Sequence, residues 1–145
     1  MLRQILIGFA VSAANIGVHA LFMAAVVTAA RHASGWRVRG ALTRLTGVMV
    51  AAAGALMTAH IIEVFVWASA YRILQVAPKK ADALYFAFVS YTTLGYGDVL
   101  PVDRWRLLGP MTAMNGILLF GWSTAVIFEV LTQAQRLGAF ADKSE

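Results

Sequence analysis

Two groups of residues in this chain have types and spacings that can do chemistry. The first is the run Thr92-Thr93-Leu94-Gly95-Tyr96-Gly97-Asp98. In a short extended run the backbone carbonyls can all point at one axis. With copies of the chain around that axis, they can replace a cation's water shell. Carbonyls that face one way require backbone angles that a Cβ penalises, and glycines stand at 95 and 97 to permit them. The Thr93 hydroxyl can supply a further ring of oxygens at the inner end. The second group is His60 and Glu63, three residues apart and so on one face of a helix. A zinc site needs more ligands than this pair, and the His-Glu-x-x-His pattern of zinc hydrolases is absent. His19 and His32 are assigned to other segments, so the sequence argues against a membrane enzyme.

The segments that must position these residues are apolar. Of 145 residues, 60% are hydrophobic and 13% charged, the balance of a small integral membrane protein. There is no cysteine, which excludes disulfides and thiolate metal sites. The net charge of +5 lies mostly in loops between apolar runs, where it serves anchoring and topology; no nucleic-acid partner is expected. The first apolar run, Ile5 to Ala30, would be roughly 39 Å long as a helix, enough to span with tilt and too long for a usual signal peptide. Arg31, Arg37, Arg39 and Arg44 follow with no acidic residue between them, which assigns that loop to the cytoplasm. The amino terminus then lies outside and the carboxyl terminus in the cytoplasm, although Arg72, Lys79 and Lys80 also fall outside. A second span is expected over Leu45 to Ala68, continuing through Tyr71 and Arg72, with Ala51 to Ala55 as a close-packing face. Pro78-Lys79-Lys80 breaks it. Asp82 is placed to cap a short helix, Ala83 to Thr92, that cannot cross a bilayer and requires protein or a water-filled cavity around it. Asp103-Arg104-Trp105-Arg106 reads as an interfacial anchor, and Pro110 suits the first turn of a last helix ending near Gln133.

The unit Tyr91-Thr92-Thr93-Leu94-Gly95-Tyr96-Gly97-Asp98, followed by Pro101, closely resembles the pore loop of the tetrameric K⁺-channel superfamily. The resemblance covers about Leu45 to Thr132, the outer helix, pore helix, filter and inner helix of a subunit with one pore loop. It implies an all-α integral membrane protein with three transmembrane helices, a re-entrant pore helix and a selectivity filter. It further implies a homotetramer, surrounded by lipid in a prokaryotic inner membrane, that passes K⁺ without catalysing a reaction. The filter would be Thr93, Leu94, Gly95, Tyr96 and Gly97, with K⁺ at the first four. Thr92, Asp98 and position 89 would support it, and no cofactor beyond the permeant ion is expected. The chain then divides into residues 1–44 (first helix and basic loop), 45–133 (pore module) and 134–145 (a short cytoplasmic tail). No soluble regulatory domain and no arginine-patterned voltage sensor is expected. Two-pore-domain channels match poorly, because this chain has one pore loop.

Departures from the family pattern leave a weakly selective cation channel and a non-conducting modulatory subunit as alternatives. Leu94 stands where valine or isoleucine is usual. Val89 replaces a glutamate that pairs with the filter aspartate in several relatives, so support for Asp98 is expected to be missing. Phe86 lacks the indole N–H that braces the filter tyrosine in many relatives. On the last helix, Leu118, Gly121, Ala125 and Glu129 fall on one stripe assigned to the pore, with Glu129 forming an acidic ring or meeting headgroups or Arg44. Gly116 and Gly121 are expected to let the helix bend at a gate or to pack against the pore helix. His60 and Glu63 form a possible intramembrane titrating pair, or else a structural one. Glu63 is expected to reach Ser90, Tyr91 or Thr92 and partly replace the missing filter support. Asn15 lies near the depth of His60 and is expected to supply the first helix's partner.

Overall fold

The computed structural model describes residues 1–32, 41–78 and 82–141. Arg37, Arg39, Lys79 and Lys80, which entered the topology argument, lie outside these residues. The chain forms α1 (Leu2–His32), α2 (Ala41–Leu74), the short α3 (Ala83–Tyr91), a 3₁₀ turn at Asp103–Trp105, and α4 (Leu108–Ala141). Among the described residues there is no strand. Three stretches, Leu2–His32, Leu42–Leu74 and Asp103–Ala134, are long and apolar enough to cross a membrane. Their apolar residues surround the helix instead of forming one stripe. Leu21, Ile73 and Phe128 are more than two-thirds exposed on the isolated chain, as suits surfaces that meet lipid or further copies.

The punctuation of the helices follows from local chemistry. Helix α2 ends where Gln75 takes a left-handed conformation (φ 54°) and the Val76 N–H reaches back to the Tyr71 carbonyl at 3.0 Å, a Schellman stop. The Val76 carbonyl then accepts from Val102 N–H, which ties the segment after the loop to the end of α2. Asp82 caps α3 as expected, accepting from Leu84 N–H at 2.8 Å. Thr92 closes α3 with its hydroxyl on the Phe88 carbonyl. Helix α4 runs on past Gln133 to Ala141, so the expected tail is helical over most of its length.

Around α3 the core is Trp67, Tyr71, Phe86, Tyr91, Trp105 and Leu108. A second cluster joins Val26, Ala52 and Leu56 to Val126 and Val130 towards the other end of the bundle. Of the alanine-rich face on α2, Ala52 is buried in that cluster, while Ala51, Ala53 and Gly54 stay exposed. Trp105, expected as an aromatic belt residue of an interfacial anchor, is buried within the chain, with the Arg3 guanidinium 5.2 Å from its ring centre. Gln4 accepts from the Leu107 N–H, so the start of α1 is fastened beside the start of α4.

Candidate functional site

The loop after α3 has an alternating backbone. Thr93, Gly95 and Gly97 take φ of 60°, 57° and 78°, while Leu94 and Tyr96 between them stay on the ordinary side. Where left- and right-handed residues alternate, successive peptide planes can turn the same way and set their carbonyls in a row. Glycine adopts this conformation freely, but at Thr93 a β-branched residue does so at an expense of about 1–3 kcal/mol. Residue type points to the Thr93 hydroxyl and gives no sign of this backbone conformation. Val89, buried on α3, holds the loop by accepting the Gly95 N–H at 3.3 Å, and Ser90 accepts the Thr93 N–H at 3.1 Å. Residues 92–98 are all exposed on the isolated chain, with Leu94 at 53% and Tyr96 at 69%.

Asp98 has the support that Val89 was expected to deny it. Its Oδ2 accepts from the Tyr85 hydroxyl at 2.6 Å, one helical turn before position 89, and its Oδ1 accepts from Val99 N–H. That hydrogen bond raises the Tyr85 pKa, because losing the proton would set a phenolate against the Asp98 carboxylate. Phe86 packs against Tyr71 with ring centres 5.1 Å apart. Behind the loop, a cavity of about 290 Å³ lies among Phe86, Val89, Gly95, Gly97 and Gly109.

Deeper in the bundle, a polar cluster joins all four helices. Glu63 is fully buried and accepts from three directions: His19 Nδ1 at 2.8 Å, His60 Nδ1 at 3.0 Å, and the Tyr91 hydroxyl. Both imidazoles turn their Nε2 atoms to Ser123 Oγ, at 2.9 Å from His60 and 3.3 Å from His19. The five contacts close a ring, Glu63–His19–Ser123–His60, with Tyr91 attached. Beside it, the Asn115 side-chain oxygen accepts from Asn15 Nδ2 and Trp67 Nε1, both at 3.0 Å.

Glu63 thus reaches Tyr91, at the end of α3, one of the three residues expected to meet it. The partner from α1 differs from the expectation. Asn15 donates to the Glu63 backbone carbonyl, while His19, one turn along, meets the carboxylate. The missed signal was facial. Asn15 and His19 are four apart on α1, His60, Glu63 and Trp67 are three and four apart on α2, and Asn115 and Ser123 are eight apart on α4. Each set lies on one side of its helix.

On α4, Leu118, Gly121, Ala125 and Glu129 are exposed along one face, and Glu129 accepts from Gln133 at 2.6 Å. Gly116, assigned with them to the pore or gate, is not on that face. It is buried against the Tyr91 carbonyl, closer than any side chain would allow. Its position makes room for α3, and α4 stays helical through both Gly116 and Gly121.

Residues 59–133, just over half of the chain, match a family model whose description is "Ion channel". No curated protein and no solved structure matches the chain. The matched stretch contains His60, Glu63, α3, the 92–98 loop and most of α4, and leaves α1 outside.

Proposed function

The chain belongs to the ion channel family, and we propose that four copies of it form a passive K⁺-selective pore. The observation that carries this reading is the alternation of positive φ at Thr93, Gly95 and Gly97. Each chain brings one aligned row of carbonyls, and four rows around an axis form stacked oxygen cages that replace the water around K⁺. The carbonyls of Thr93, Leu94, Gly95 and Tyr96, with the Thr93 hydroxyl below them, bind the ion in turn. Leu94 contributes its carbonyl, so its unusual side chain leaves the row intact.

Tetramer formation fits the exposure of residues 92–98 and of the Leu118–Glu129 face, which would line the axis below the loop. The Asp98 carboxylates form an acidic outer mouth, and Glu129 forms a second acidic ring at the opposite end. In this arrangement α3 enters the bilayer from outside, the amino terminus of α1 is outside, and the end of α4 is in the cytoplasm of a prokaryotic cell. The chain performs ion transport and no covalent chemistry.

The test is the reversal potential of the purified full chain in liposomes under opposed K⁺ and Na⁺ gradients. We expect it to follow the K⁺ gradient. A reversal potential near the midpoint would make the protein a weakly selective cation channel. Absence of current from assembled protein would favour a modulatory subunit.

A further inference from the structure

We propose that His19, His60 and Glu63 bind a divalent transition-metal ion of the zinc class inside the bundle, behind the end of α3. The three residues each offer one ligand atom, and these atoms lie within 4.8 Å of one another. Zinc–ligand bonds of about 2.0–2.2 Å around a tetrahedral ion place its ligands roughly 3.3 Å apart. The Nδ1 atoms of His19 and His60 already sit 2.8 and 3.0 Å from the two carboxylate oxygens. Small rotations of the three side chains open the space for an ion. Two imidazoles and one carboxylate suit zinc, copper, iron or nickel, and do not suit magnesium or calcium, which take oxygen donors.

Ser123 is what turns a compact polar cluster into a metal-site geometry. A metal-ligating histidine commonly donates its other ring N–H to a fixed acceptor, which sets its tautomer and orientation. Here both imidazoles face Glu63 through Nδ1 and the same Ser123 oxygen through Nε2. One hydroxyl oxygen has two lone pairs and can accept both Nε2–H groups while both Nδ1 atoms hold the ion. Tyr91 supplies the fourth position, its oxygen already in contact with Glu63 and 2.9 Å from His60 Nδ1. His60 is 11% exposed and gives the ion its route in, while His19 and Glu63 are closed off. Tyr91 lies two residues before Thr93, so occupancy of the site acts on the base of the loop.

The probe is Co²⁺ added to the full chain in detergent after dialysis against a chelator. We expect saturable binding of one Co²⁺ per chain, visible bands of a four- or five-coordinate nitrogen- and oxygen-ligated ion, and their loss when Zn²⁺ displaces it. Ser123→Ala, which keeps every ligand, is expected to weaken binding about 10–100-fold, and His19→Gln to weaken it more. Absence of saturable binding to the parent protein overturns the proposal, as does a helical His19→Gln protein that binds Co²⁺ like the parent. If His19→Gln does not fold, the parent spectrum and Ser123→Ala decide: unchanged affinity in Ser123→Ala overturns the site. None of these readouts depends on which ion crosses the pore.

Discussion

The 92–98 loop and the cluster behind it are neighbours through Tyr91, yet they are built on opposite plans. The loop is a backbone device: three of its residues sit at positive φ, its Thr93 and Gly95 N–H groups bond α3 carbonyls, and all of it is exposed on one chain. The cluster is a side-chain device: its donors and acceptors meet each other, and His19, Glu63 and Ser123 are buried within the same chain. In the proposed tetramer the loop is completed by further copies, whereas the cluster is completed by the chain itself. Damage to the loop should therefore remove function while leaving the fold, and damage to the cluster should reach the fold first.

Gly97→Ala gives the sharpest test. The added Cβ meets nothing within 4 Å, but φ of 78° is strained for any side chain. At about 1–2 kcal/mol per residue, four copies accumulate roughly 4–8 kcal/mol against the loop conformation. K⁺ over Na⁺ selectivity should disappear from vesicle recordings, while size and thermal stability in detergent stay close to the parent. Retained selectivity would remove the loop assignment, and a collapse of the assembly would erase the distinction between the regions.

Glu63→Ala should do the reverse. It takes the carboxylate away from the buried His19 and Tyr91 and from the partly buried His60, each lost bond worth about 1–3 kcal/mol, and a large fall in unfolding temperature is expected. Whatever protein survives should still prefer K⁺. A stable Glu63→Ala protein with lost selectivity would show that the cluster belongs to the loop's chemistry after all.

Gly116→Ala follows, at about 1–3 kcal/mol of overpacking against the Tyr91 carbonyl. A lower unfolding temperature with unaltered gating supports packing. The opposite result restores the hinge.

The smallest effect is expected from Tyr85→Phe, which removes the hydroxyl on Asp98 at an exposed position. The loss is read as faster decay of K⁺ current at constant stability. An unchanged decay would mean that the loop takes no side-chain support from α3.

What could be read from the sequence divides along the same line. Asp82 as a cap, the short α3, and the glycines at 95 and 97 are local matters, set by residue type and a few neighbours. The partners His19, Ser123 and Tyr85 were not legible in that way. Which residues meet across a bundle depends on how far each helix is turned and slid against the next. Depth counted from flanking arginines placed Asn15 near the level of His60, and it meets the backbone of Glu63, three residues further along α2. The longer imidazole one turn away reaches the carboxylate. Gly116 illustrates the same limit, since a glycine on a long helix can be a bend or a contact and only the approach of Tyr91 distinguishes them. Thr93 was hidden for another reason, because residue type argues against the backbone angle it adopts.

The bond between Asn15 and Asn115 spans 100 positions of the chain, which has a meaning for biosynthesis. At about 5–20 residues per second, a ribosome needs roughly 5–20 s to travel from one to the other. Helix α1 enters the bilayer first, carrying an asparagine and a histidine whose partners on α4 have not been made. For that interval its polar face depends on the insertion machinery or on the newly arrived Glu63. The order of synthesis thus makes α1 the waiting partner, and the arrival of α4 is the event that locks the bundle.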